Sequence, residues 1–132
     1  MTDQSPGFVV AVVDDDQRIL QSLENLLESA DYAVRPFACA QALLDSGCLA
    51  EIGCLISDID LPVMDGFELL RAVRGARPDL PIILITGHPD LLNRLPAAAA
   101  SNYRLFKKPF DGQALLAAVG DSVTSGQPQK SS

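Results

Sequence analysis

Along the chain, short unbroken apolar runs alternate with longer stretches in which apolar residues recur every three or four positions. Phe8 to Val13 is a run of strand length, and three consecutive acids follow it. Ile19, Leu20, Leu23, Leu26 and Leu27 come next, spaced to fall on one face of a helix. Tyr32 to Pro36 predicts a second strand, Ala38 to Leu44 a short helix, and Ile52 to Ser57 a third strand. Asp65 is placed to cap a third helix, with Glu68 three residues on as in a capping box and Phe67, Leu70 and Val73 on its apolar face. Pro81 to Ile85 predicts the fourth strand and Tyr103 to Phe106 the fifth. Asp111 then caps a last helix carrying Leu115, Leu116 and Val119. Between those two strands the pattern weakens: Leu91, Leu92 and Leu95 suggest a helix that Pro96 either ends or restarts.

Strands each followed by a helix predict an α/β fold, a five-stranded parallel sheet doubly wound as (βα)5. Parallel neighbours need crossover connections, and right-handed crossovers place helices on both faces. Strands one and three are expected at its centre. Residues 8–123 form one domain in this reading, residues 1–7 a short N-terminal extension, and residues 124–132 a flexible polar tail or the start of a linker.

Composition narrows the class further. A chain of 132 residues with 48% hydrophobic content can bury one sizeable core and has no room for a second full domain. A net charge of −7 argues against direct contact with nucleic acid or with an anionic membrane surface. Cys39, Cys48 and Cys54 are odd in number and lack metal-ligand spacing, which predicts reduced, packed thiols. There is no basic segment leading into an apolar signal region and no apolar run near 18 residues, so a cytoplasmic location is expected.

The candidate chemistry lies where the predicted strands end. In open parallel sheets ligands bind outside the carboxyl ends of the strands. There the fold would bring Asp14 and Asp15 close to Asp58, which is followed by Ile59, Asp60, Leu61 and Pro62. Carboxylates crowded in this way repel unless a cation sits among them, and the hard cation suited to carboxylates, waters and a phosphate is Mg2+. Phosphoryl transfer also needs fixed donors and positive charge facing the phosphoryl oxygens. Thr86, at the end of strand four, can supply a hydroxyl, and Lys108, at the end of strand five, a charge. Pro109 is a candidate cis peptide that would aim Lys108 inward.

Taken together, these motifs resemble the receiver domain of two-component response regulators, over residues 8 to about 122. The matching elements are Val-Val-Asp-Asp-Asp at 12–16, Asp58-Ile-Asp-Leu-Pro62 with Asp65-Gly66, Ile-Thr-Gly-His at 85–88 and Lys-Pro-Phe at 108–110. Their wording is most similar to the FixJ-like receivers that precede LuxR-type DNA-binding domains. The resemblance implies a flavodoxin-like fold with strand order 2-1-3-4-5. It also implies that Asp58 is the phosphoacceptor, fed by a sensor histidine kinase or a phosphotransfer protein. Asp15 would ligate Mg2+ directly, as would Asp58 and the backbone carbonyl of Asp60, while Asp14 would hold a metal-bound water. Thr86 and Lys108 would engage the phosphoryl group. Asp60 and His88 fall at positions that tune its loss to water. The output would be a switch in the surface of the fourth helix, fifth strand and fifth helix. A target protein, an output domain or a phosphorylation-dependent dimer would read that switch.

The chain departs from the family's pattern on that same surface. Leu105 stands where an aromatic residue is frequent, Ser101-Asn102 replace a Gly-Ala pair, and Pro96 interrupts the fourth helix. Plainer roles also exist for individual residues: Asp16 and Asp65 as helix caps, Asp60 as a solvated loop acid, His88 as an exposed loop side chain, and Thr86 as a local hydrogen-bond donor. Two other functions remain open at this point. Asp58 and Asp60 also resemble the acid pair of haloacid-dehalogenase-type phosphohydrolases, although Leu61-Pro62 and the early position of Asp14-Asp15 do not fit that family. The third reading is a degenerate receiver that only binds a partner.

Overall fold

The structure is a computed structural model that describes residues 8–59, 61, 66–87, 103–108 and 110–125. Asp60, Pro62, Asp65, His88, the stretch containing Leu91 to Asn102, Pro109 and the segments 1–7 and 126–132 lie outside the described residues. The elements run β1 (Val9–Val13), α1 (Gln17–Ser29), β2 (Ala33–Phe37), α2 (Ala40–Ser46), a 3-10 turn (Cys48–Ala50), β3 (Cys54–Asp58), α3 (Gly66–Ala76), β4 (Ile82–Thr86), β5 (Tyr103–Lys107) and α4 (Gly112–Ser125). All five strands are parallel, in the order β2-β1-β3-β4-β5. The expected doubly wound sheet, with strands one and three inside it, is therefore present.

Several boundaries differ from the sequence pattern for local reasons. Pro36 lies within β2 rather than at its end, in register with Val12. Because β2 is an edge strand, a residue with no N–H is tolerated there. α2 begins at Ala40, two residues later than the apolar pattern suggests, because Cys39 is extended at φ −155° and ψ 162°. Gly47 ends α2 in the left-handed conformation at φ 76°, which costs glycine nothing. α4 runs on through Thr124 to Ser125, so the first two residues expected in the polar tail are helical.

Helices cover both faces of the sheet, and the core is split accordingly. On one face Leu20, Leu23 and Leu27 of α1 and Leu115, Ala118 and Val119 of α4 pack on Val10, Val12, Cys54, Ile56, Ile83 and Ile85. On the other, Leu43 of α2 and Leu69, Leu70 and Val73 of α3 pack on Ala11, Val13, Leu55 and Leu84. Strands buried on both sides in this way are continuous apolar runs, which is what the sequence shows. Each large side chain fully buried contributes about 1.5–3 kcal/mol relative to exposure. Away from the carboxyl ends, Arg77 ties α3 to the approach to β3. Its Nη1 donates to the carbonyls of Leu49 at 2.7 Å and Ile52 at 3.1 Å. Among the described residues no helix is long and apolar enough to cross a membrane.

Candidate functional site

Strand register delivers the candidate residues to one end of the sheet. β1 and β3 pair up to Val13 opposite Ser57, β3 and β4 up to Asp58 opposite Ile85, and β4 and β5 up to Thr86 opposite Lys107. Asp58 is the last residue of β3 rather than the first of the loop, Asp14 follows β1 directly, and Thr86 closes β4. Lys108 lies one residue past β5, and its backbone N–H donates to the Thr86 carbonyl at 2.7 Å. Residues more than forty positions apart thus share one site.

The carboxylates of Asp14, Asp15 and Asp58 meet there, each offering an oxygen within 4.8 Å of the others. Asp14 and Asp58 are 1% and 5% exposed, whereas Asp15 opens to solvent. Asp14 is oriented by its neighbour, its Oδ1 accepting the Asp16 N–H at 2.9 Å. Asp16 itself caps α1, its Oδ1 accepting the Arg18 N–H at 2.9 Å, so its plainer role is the one it fills. Asp111 does the same for α4 through the Gln113 N–H at 3.1 Å.

Lys108 closes the group. Its Nζ donates to Asp58 Oδ2 at 2.8 Å and lies 3.6 Å from Asp14 Oδ2. Burial works against the ammonium charge, but the hydrogen bond to Asp58 and the charges of Asp58 and Asp14 outweigh it, holding the Lys108 pKa above its ordinary value. Asp14 moves the same way. Burial raises its pKa, the hydrogen bond from Asp16 opposes this, and the Asp58 charge adds to the rise. Asp14 and Asp58 therefore face the Lys108 ammonium in a largely buried setting, with the Asp15 carboxylate at its solvent edge. The donors are all oxygen, so a hard divalent cation fits them and would relieve the excess negative charge.

Thr86 is fully buried at the strand end. Leu105 is half-buried in β5 and packs on the α2 and α3 side of the core. Sequence reasoning passed over Ser57, a fully buried residue whose hydroxyl donates to the Asp58 carbonyl at 3.0 Å. The available signal was a lone hydroxyl in the otherwise apolar strand Cys54-Leu55-Ile56. The cysteines are free, with Cys48 and Cys54 buried and Cys39 partly so. Burial pushes the Cys54 thiol up to about 11, which leaves it unreactive at neutral pH.

Comparison with known proteins agrees with this geometry. The family described as "Response regulator receiver domain" matches residues 10–120. The transcriptional regulatory protein FixJ of Bradyrhizobium diazoefficiens is 34% identical over 119 residues, covering 90% of this chain and 58% of that protein. The response regulator protein TmoT of Ectopseudomonas mendocina is 37% identical over 131 residues, covering 98% and 58%. The chain thus spans little more than half the length of these relatives. Among solved structures, the signal receiver domain of an HD domain-containing protein from Pseudomonas fluorescens Pf-5 superposes with a TM-score of 0.81 at 33% identity, covering 92% of this chain and 98% of that one. Fold, acidic cluster and relatives point one way: the chain belongs to the response regulator receiver domain family of two-component signalling.

Proposed function

We propose that Asp58 is the phosphoacceptor of this receiver, taking a phosphoryl group from the phosphohistidine of a sensor kinase or phosphotransfer protein. A carboxylate oxygen of Asp58 bonds to phosphorus as the P–N bond breaks, and the electron pair of that bond returns to the imidazole. The observation that carries the reading is the convergence of Lys108 Nζ on Asp58 Oδ2 at 2.8 Å beside the carboxylates of Asp14 and Asp15. Asp14, Asp15, Asp58 and the Asp60 carbonyl would hold Mg2+, which neutralises charge on the acids and on the phosphoryl oxygens. Lys108 keeps Asp58 oriented beforehand and supplies a cation to the product. Thr86 supplies a hydroxyl to the phosphoryl group once it has formed, and Asp60 and His88 set how readily water removes it.

Charge-assisted contacts made only in the phosphorylated form bias a two-state equilibrium. A swing from 1:99 to 99:1 needs about 5.5 kcal/mol of differential stabilisation. The surface that reads this includes β5 and α4, with Leu105 where a bulkier ring would couple to Thr86. In this reading the protein is a cytoplasmic signalling module that catalyses only its own phosphorylation and dephosphorylation. Its reader is a target protein, an output domain or a second copy of the chain, and it makes no contact of its own with nucleic acid or membrane.

Incubation with Mg2+ and phosphoramidate, followed by intact mass measurement, tests the assignment. Wild type gains one phosphoryl group and Asp58→Asn gains none. Equal incorporation in both refutes the role of Asp58.

A further inference from the structure

We propose that Ser57 is a positioning residue for Asp58, its buried hydroxyl holding the peptide plane that follows Asp58 and thereby fixing where the carboxylate stands. Ser57 is fully buried in a strand whose other side chains before Asp58 are Cys54, Leu55 and Ile56. Successive residues of a strand alternate between faces, so Ser57 shares its face with Leu55, on the α2 and α3 side of the core. A hydroxyl is costly there unless it is hydrogen-bonded. Its bond goes to a functional neighbour, with Ser57 Oγ donating to the Asp58 carbonyl at 3.0 Å.

Strand pairing indicates why that carbonyl needs holding. On the β4 side β3 stays paired through Asp58 opposite Ile85, and the Ile59 N–H continues the contact to the Ile85 carbonyl at 2.9 Å. On the β1 side the register stops one residue earlier, at Val13 opposite Ser57. Beyond that pair β1 departs to place Asp14 and Asp15, which opens the acidic cleft. Asp58 therefore leaves the sheet anchored by ladder pairing to β4, and the Ser57 hydroxyl ties its carbonyl within β3 itself. Without that bond the Asp58–Ile59 peptide keeps its N–H contact to the Ile85 carbonyl but can tilt about it, moving the carboxylate off the position that keeps it 2.8 Å from Lys108.

The inference rests on the reading of Asp58 as phosphoacceptor. It is tested by comparing wild type with Ser57→Ala, and Ser57→Thr with the isosteric Ser57→Val. Each is phosphorylated by phosphoramidate across a range of Mg2+ concentrations, with urea unfolding measured alongside. Misplacing a reacting group by about 1 Å can cost up to about 100-fold in rate. We expect Ser57→Ala to lower the maximal rate at saturating Mg2+ by about tenfold, and Ser57→Val to fall about tenfold below Ser57→Thr, with every variant folded under the assay conditions. A structural role alone moves the urea midpoint and leaves the maximal rate of the folded protein unchanged. Ser57→Ala reacting at the wild-type rate, or Ser57→Val matching Ser57→Thr, overturns the inference while leaving Asp58 in place. Labelling of Asp58→Asn equal to wild type overturns the phosphoacceptor reading itself, and the positioning role with it.

Discussion

Removing the Lys108 charge should destabilise the protein substantially when no divalent cation is present. In Lys108→Met a chain of similar length stays, but the ammonium 2.8 Å from Asp58 and 3.6 Å from Asp14 is gone. At an effective dielectric of about 20, unit charges at those separations attract by about 6 and about 4.5 kcal/mol respectively. Less than this is realised, because the Lys108 side chain is 27% exposed and orphaned acids can take up protons. Truncating one partner of a buried charge pair costs roughly 3–5 kcal/mol, and the partial exposure of Lys108 puts the expected loss near 3 kcal/mol. With a urea slope of about 1.5 kcal/mol per M, the midpoint followed by far-UV circular dichroism should drop by about 2 M in a chelator-treated sample at pH 7. The sign of the pH dependence follows from the raised Lys108 pKa. The folded state holds the proton more tightly than the unfolded one, so the stabilisation is complete below the unfolded value of 10.5 and is lost as pH rises through the folded value. The gap between wild type and Lys108→Met should therefore persist through neutral pH and narrow in strong alkali. A variant as stable as wild type at pH 7, with the same urea slope, would refute the claim that this lysine compensates the buried acids.

Asp14→Asn keeps an oxygen for the Asp16 N–H and removes a buried charge whose pKa burial has raised above 3.8. That charge penalises the fold once pH exceeds the folded value and costs nothing below the unfolded one. The variant should thus unfold at higher urea than wild type at pH 7 without divalent cation and match it in acid, while Mg2+ affinity measured by calorimetry falls. Arg77→Ala should lower stability by about 1.5–3 kcal/mol by removing the donor to the Leu49 and Ile52 carbonyls. Both bonds come from the one Nη1, and because lysine's stem is shorter and its ammonium more strongly hydrated, Arg77→Lys should recover only part of the loss in the same unfolding assay.

Much of this arrangement was legible in the sequence. Parallel strands buried on both faces leave runs such as Val9–Val13 and Ile82–Ile85 with no polar interruption, and Asp14 and Thr86 follow them directly. What escaped depends on φ, ψ and register. Cys39 looks helical by its apolar neighbours yet is extended, and Pro36 reads as a terminus although an edge strand accommodates it. Ser57 carries no periodic signal, because its role arises where β1 parts from β3 one residue before β4 does. Likewise, Asp14 and Asp15 are adjacent and chemically identical in sequence. Only the fold buries one beside Lys108 and leaves the other in solvent.

Whether Asp58 carries the phosphoryl group is read out by chemical trapping of the acyl phosphate. After reaction with Mg2+ and phosphoramidate, borohydride reduces an aspartyl phosphate to homoserine, which peptide mapping locates. Homoserine is expected at position 58 in wild type, with none there in unreacted protein and none anywhere in Asp58→Asn. Homoserine at Asp14, Asp15 or another acid, with Asp58 intact in phosphorylated protein, would contradict the phosphoacceptor role of Asp58.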